Sequence, residues 1–361
     1  MQPKILKFNK WIILKLVVLV VLASTFCICS NFVVAKAEET ESAQTFSSDN
    51  YILSDNERLL SDFADNKYVL KEVDNYYSIT HAATGLLIEE NDGNWASPYK
   101  GFDKIWYAGP MNYFYEINNK VYTLIDNTEI EVNQNIYDYC NKLNDFIIQE
   151  YNRQHSAAKK ARSTYADKID YYELKYPTFF PNLDTTEHNL EKICTYVAAA
   201  SLLAYYDYCY GTNSFIDSSY WERKNLTNPR YYKSLCLKLE NYHENDSFEG
   251  VMKKYFKDRN QTNVKHYQWA GIFTTNLMLC DSIKKNNPVV LMGLFYDPRP
   301  NESKPANHAV IAYKASCSYI NGSTIYSYWL HYGWEKEFNS IRLTNNITNF
   351  TVLMSYYLNV K

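Results

Sequence analysis

"EKICTYVAAASLLAYYDYCYG" runs from Glu191 to Gly211 and fixes the centre of the fold. Val197, Ala198, Ser201, Leu202 and Tyr205 follow Cys194 at helical spacing, while the other faces carry Ala199, Ala200, Leu203 and Ala204. A helix apolar on nearly all sides is packed from several directions. The stretch therefore predicts a central buried helix that starts near Cys194 and stops at Gly211. A cysteine in its first turn sits at the positive end of the helix dipole, where a thiolate is favoured. An ordinary buried thiol would fit the same position.

Downstream, the texture turns to strands. "NPVVLMGLFY" (Asn287 to Tyr296), "NHAVIAYKAS" (Asn307 to Ser316) and "SYINGSTIYSYWLHYGW" (Ser318 to Trp334) are rich in β-branched and aromatic residues, and Asn321-Gly322 is a two-residue hairpin signal. "TTNLMLCDSIKKNN" before them reads as a helix. One buried helix followed by an antiparallel sheet makes an α+β domain, expected over residues 172–361.

Upstream, "KYVLKEVDN", "YYSITHAATG" and "LLIEEN" read as a small antiparallel meander, and residues 133–153 read as a helix with Ile136, Tyr139, Cys140, Leu143 and Ile147 on one face. Residues 38–152 are expected to form this N-terminal domain. Between the two, 153–171 includes "RQHSAAKKARSTYADK", basic and poor in large apolar residues. It reads as an exposed linker open to proteases, or as the solvated end of the preceding helix.

Residues 1–37 stand apart. Lys4, Lys7 and Lys10 precede the apolar run "VVLVVLA", and "AKA" (Ala35 to Ala37) supplies a small-x-small cleavage pattern. Export with cleavage after Ala37 is expected, an uncleaved anchor over Trp11 to Ala35 being the alternative. The remaining 324 residues carry 32 basic and 40 acidic side chains, net −8, with no basic stripe. That balance argues against nucleic acid as a partner. Six cysteines remain (140, 194, 209, 236, 280, 317). An even count in an exported chain allows disulfides, yet a chain this long can stabilise itself by its core. None has CxxC spacing, against a structural zinc site.

The thiol at 194 attacks only as thiolate. Lowering it from ~8.5 to roughly 4 takes about 6 kcal/mol of preferential stabilisation. A helix N-terminus supplies at most about 2 kcal/mol. A cationic partner is required, and histidine can also return the proton to a leaving group. His81 and His155 are expected to be solvated, and His243 and His266 to lie on the surface. His308 opens the apolar strand "NHAVIAY" and can point into a groove from a rigid platform. In "WLHYGWEKE" (Trp329 to Glu337), Gly333 permits close backbone approach, Trp334 can shield a polar contact, and His331 can orient His308 or simply fill the hairpin end.

"CTYVAAASLLAYYD", "NHAVIAYKAS" and "HYGWEKE", in that order and with His308 lying 114 residues after Cys194, resemble the signatures of the papain superfamily. The likeness is to secreted bacterial cysteine peptidases of streptopain type and to double-glycine leader peptidases. "GLLIEE", "SPYKG" and "WYAGPMNYFY" are similar to the propeptide-like N-terminal region of such enzymes. The resemblance implies a papain-like catalytic domain, Cys194 as nucleophile, His308 as general base and acid, and His331 at the place of an orienting asparagine. It also implies an oxyanion donor at Asn189 or His188 beside the Cys194 N–H, a peptide or protein substrate, and no metal or cofactor. Thr195 and Glu335 depart from its glycines. The expectation is thus a secreted cysteine endopeptidase, made as a zymogen whose first domain covers the groove until the linker is cut. An acyl transferase on the same fold, or a binding protein with a decayed site, are the alternatives.

Overall fold

The computed structural model describes residues 53–360 apart from 92–96, 126, 161–167, 189–192, 212–214, 244–246, 262–263, 271–274, 296–305, 321–322, 335–340 and 345–349. The expected signal peptide, 1–37, lies outside the described residues.

The chain opens with β1 (Glu57–Ser61), β2 (Lys67–Val73), β3 (Tyr76–His81), β4 (Leu87–Asn91), β5 (Ile105–Tyr107), β6 (Tyr113–Ile117), β7 (Lys120–Thr123) and β8 (Glu129–Ile130). In β2 the period-2 pattern turns Tyr68 and Leu70 into the core. Asn118 and Asn119 both take positive φ between Ile117 and Lys120, the two-residue hairpin geometry that asparagine tolerates. Helix α1 (Gln134–Lys160) follows; the Asn133 side-chain oxygen accepts from the Asn135 N–H at 3.1 Å to start it. Ile136, Cys140, Leu143 and Ile147 are buried along its predicted face.

Then come β9 (Lys168–Glu173), the short α2 (Phe179–Asn182) and α3 (Cys194–Tyr210). Helix α3 is the helix of the opening quotation, buried from Val197 to Asp207. Burying Val197, Leu202 and Leu203 contributes about 1.5–3 kcal/mol each. Gly211 ends it in the left-handed region at φ 67°, with its N–H on the Asp207 carbonyl. The remaining elements are β10 (Trp221–Arg223), β11 (Arg230–Tyr231), α4 (Ser234–Glu240), α5 (Phe248–Asp258), β12 (Val264–Ala270), α6 (Thr275–Lys284), β13 (Val289–Phe295), β14 (Ala306–Ile320), β15 (Ser323–His331), β16 (Ile341–Thr344) and β17 (Phe350–Val360). Ile320 pairs with Ser323 where the hairpin was expected; Asn321 and Gly322 themselves lie outside the described residues.

The architecture is α+β. One sheet runs β12-β17-β13-β14-β15-β16-β4-β3-β2-β1-β5-β6-β7-β8, with β9 also on β14. Its pairings are antiparallel except β1 with β5. Helix α3 packs against β13 and β14.

The two expected domains, 38–152 and 172–361, meet in this sheet. β4 pairs with β16 from Asn91↔Ile341 to Glu89↔Leu343. One buried cluster runs from Leu60, Tyr68 and Tyr113 through Leu143 to Val197 and Val310. Pairing across so long a sequence separation leaves no local signal. The expected linker also differs. Residues 153–160 continue α1, Lys168 already opens β9, and 161–167 lie outside the described residues. Alanine favours helix, so a stretch with Ala157 and Ala158 can extend a helix as readily as form a loop. Among the described residues no helix is long and apolar enough to cross a membrane.

Candidate active site

Cys194 is the first residue of α3. Its N-cap, Ile193, has no side-chain acceptor; the Tyr196 N–H donates to the Ile193 carbonyl at 2.9 Å, while those of Cys194 and Thr195 act on the sulfur. β15 joins β14 only from Ile311↔His331 onward, while β13 covers the other side of β14 from Ala306 to Ala312. The sulfur approaches β14 at Ala309, whose backbone N–H donates to it. Alternate residues of a strand direct their N–H groups to opposite sides, which leaves one at Ala309 for the helix.

Ala309 follows His308 directly. The sulfur therefore lies against the stretch of β14 that carries His308. His308 is 6% exposed. Its ring lies nearly parallel to Trp334, centroids 4.5 Å apart at 18°, and to Tyr332, 6.0 Å apart at 19°. Trp334 thus covers one face of the His308 ring. Its carbonyl accepts from the buried Thr185 hydroxyl at 2.8 Å. Gly333, at φ +73°, lets this turn press on α3: a Cβ there would stand 3.0 Å from Val197 Cγ1.

His331 is placed otherwise than expected. Neighbouring residues of an extended strand point to opposite faces, so Tyr332, not His331, turns toward His308. The His331 Nε2 is 3.5 Å from the Leu183 carbonyl and its ring meets Phe180 edge-on at 6.0 Å. Burial pushes its pKa down to about 4, with His188 adding to the fall and the Leu183 carbonyl opposing it. It is neutral at ordinary pH. Tyr332, which the sequence reading passed over, is buried in its stead beside the candidate base. The alternation of "LHYGW" was the signal available.

Of the two expected side-chain oxyanion donors, His188 is committed elsewhere. Both nitrogens of His188 are already engaged, Nδ1 at 3.0 Å from Thr186 O and Nε2 at 2.7 Å from Tyr231 O. Its ring fastens the segment before α3 to β11. Asn189 and Glu335 lie outside the described residues. A cavity of about 280 Å³ adjoins this segment, lined by Glu187, His188, Arg230 and Tyr231 among others. Arg230 is held there by Asp184 and Glu222 at 2.8 and 2.9 Å.

Of the other histidines, His155 and His243 are exposed as expected. His81 is buried, with Nδ1 at 2.9 Å from Thr84 Oγ1, because the turn after β3 folds back over it. His266 is half-buried against Tyr356, whose hydroxyl lies 2.6 Å from its Nδ1.

The six described cysteines are all free thiols. Burial pushes Cys140, Cys236 and Cys280 up to about 12. Burial also raises Cys194, but N–H groups of Ala309, Thr195 and Cys194 itself and the Thr195 hydroxyl pull it back. The resting thiol is therefore protonated at neutral pH, and a base must take its proton for it to attack. Among the described residues no group of three or more His, Cys, Asp or Glu could hold a metal ion.

No protein-family model matches this chain, and no curated protein matches it.

Proposed function

We propose that the chain is a secreted cysteine-type peptidase of papain-like fold. Cys194 is its nucleophile and His308 its base and acid. The observation that carries this reading is the contact of the Cys194 sulfur with the N–H of the residue after His308. That contact sets the helix-borne thiol against the strand that carries His308, far from it in sequence, and supports the pairing that thiol acyl transfer requires.

His308 takes the thiol proton as the sulfur bonds to a substrate carbonyl carbon. The carbonyl oxygen gains the negative charge and faces the Cys194 N–H at the positive end of α3. The tetrahedral centre collapses to a thioester when His308 gives its proton to the leaving amine. Water, deprotonated by His308, then attacks the thioester and frees acid and thiol. Because burial raises the resting thiol, proton transfer accompanies substrate binding in this scheme instead of preceding it.

Cys194→Ala should abolish hydrolysis of an unfolded protein substrate and any self-processing while leaving the circular dichroism spectrum unchanged. Full activity in that variant would end the proposal. The raised thiol favours a second reading, a binding protein on the same fold with a decayed site. Iodoacetamide separates the two: the peptidase reading expects Cys194 to be alkylated near neutral pH faster than the other five thiols, and a decayed site does not.

A further inference from the structure

Glu89 is a buried carboxyl inside a ring of tyrosines. Its Oε1 accepts from Tyr113 at 2.8 Å and Tyr77 at 3.1 Å, and its Oε2 from Tyr107 at 3.0 Å. Tyr99 packs edge-on against Tyr113, ring centroids 5.6 Å apart. These tyrosines share one continuous buried cluster with Tyr332 and with Ile193 and Val197 beside the candidate nucleophile. Burial, and next the charge of Glu89, drive the Tyr332 hydroxyl far up. The backbone makes the same connection. Asn91 of β4 faces Ile341 of β16, which faces Leu330 of β15, two residues before Tyr332. Tyr332 is the ring stacked near His308.

A segment that merely plugs a groove lies on a finished surface and leaves it finished when it departs. This N-terminal module does something different, since it supplies the strand next to β16 and part of the buried aromatic cluster that includes Tyr332. Stripping it away would bare the edge of β16 and a face of tyrosine rings, the kind of surface that drives aggregation. It would also leave Tyr332 without the wall behind it.

We propose that the N-terminal β-module is a permanent wall of the working enzyme, not a segment shed on activation, held by β4 on β16 and by the Glu89–tyrosine cluster behind Tyr332. This rests on the Cys194–His308 reading only in taking Tyr332 as the backing of the base. A chain nicked between the two halves remains one folded molecule.

The test places a site for a sequence-specific protease within 161–167 of the full chain, cuts it, and passes the product over a sizing column under native conditions. Both fragments should elute together, and the iodoacetamide rate at Cys194 should stay within about twofold of the uncut chain. Elution of the module as a separate species, or a rise of about tenfold or more in the alkylation rate on cutting, overturns the proposal. Peptide hydrolysis is scored separately. A co-eluting pair with an unchanged thiol but no hydrolysis sinks the peptidase reading and leaves this inference standing; separation with hydrolysis does the reverse.

Discussion

The Ala309 backbone N–H donates to the Cys194 sulfur, one residue beyond His308. His331 meanwhile contacts the Leu183 carbonyl, through a ring on the other side of its strand from Tyr332. The two histidines of the sequence signature are therefore held in different surroundings. His308→Ala should lower kcat/KM for peptide hydrolysis by about 10²–10⁴-fold. His331→Asn, which keeps a polar side chain toward Leu183, should stay within about tenfold of the parent. Equal losses in the two variants would make His331 a direct partner of the base.

Gly333→Ala should be costly despite its small size. The residue sits at φ +73° and the new methyl would meet Val197 Cγ1 at 3.0 Å. Strain and overlap together should remove about 1–3 kcal/mol in urea unfolding. Because Val197 is one turn from Cys194, the iodoacetamide rate should change as well. An unchanged rate with reduced stability would show that the turn does not position the thiol.

Asp207 is the acid of the apolar helix α3, fully buried, and its carboxylate gathers the chain that follows. It accepts from the N–H groups of Phe215 and Ile216, from Trp221 Nε1 at 2.9 Å and from Lys224 Nζ at 2.6 Å. Asp207→Ala strands these donors and should cost about 3 kcal/mol or more. Calorimetry or urea titration measures it, and a loss under about 1 kcal/mol would mean that water replaces the carboxylate readily.

Two buried groups should shape stability against pH in opposite senses. Burial raises Glu89 from 4.5 to about 7, the hydroxyls of Tyr113, Tyr107 and Tyr77 opposing. Its contribution is fully present below pH 4.5 and is lost as pH rises through 7. His331 is lowered from 6.5 to about 4, so its contribution is present above 6.5 and is lost as pH falls through 4. Each amounts to roughly 3 kcal/mol, and they oppose one another between pH 4.5 and 6.5. Glu89→Gln should unmask stability that climbs from pH 4 to 6.5; His331→Asn should unmask a decline toward pH 7. Urea midpoints across pH 4.5 to 7.5 test this, and curves for the variants that parallel the parent would refute it.

Much of the candidate site could be read from the sequence because helical spacing and strand texture are local. Cys194 at the head of α3, the stop at Gly211, the strand that carries His308 and the cover provided by Trp334 all lie within short windows. The face of His331 was harder to read, since it depends on strand phase within "LHYGW" and on an irregularity in the β14–β15 ladder between Ala312 and Lys314. The His188 contact needs β11 beside the segment before α3, and the union of β4 with β16 joins residues some 250 positions apart. Asp207 did leave a mark, an acid within "SLLAYYDYCY", but a charge on an apolar helix does not say which loop it will gather.

Among the described residues the largest fully buried side chains are all tyrosines. An interior of phenylalanine could slip by one position and lose only packing. Here several of the rings also carry an address. Tyr206 reaches the Leu358 carbonyl at 2.7 Å, Tyr231 the Val197 carbonyl at 3.1 Å and Tyr255 the Phe215 carbonyl at 2.7 Å. A misfitted arrangement would entomb hydroxyls without acceptors. Such a centre behaves less like oil than like a lock of many pins: it disfavours near-miss folds one hydroxyl at a time, and it ties β17 to α3 through phenols instead of cystines.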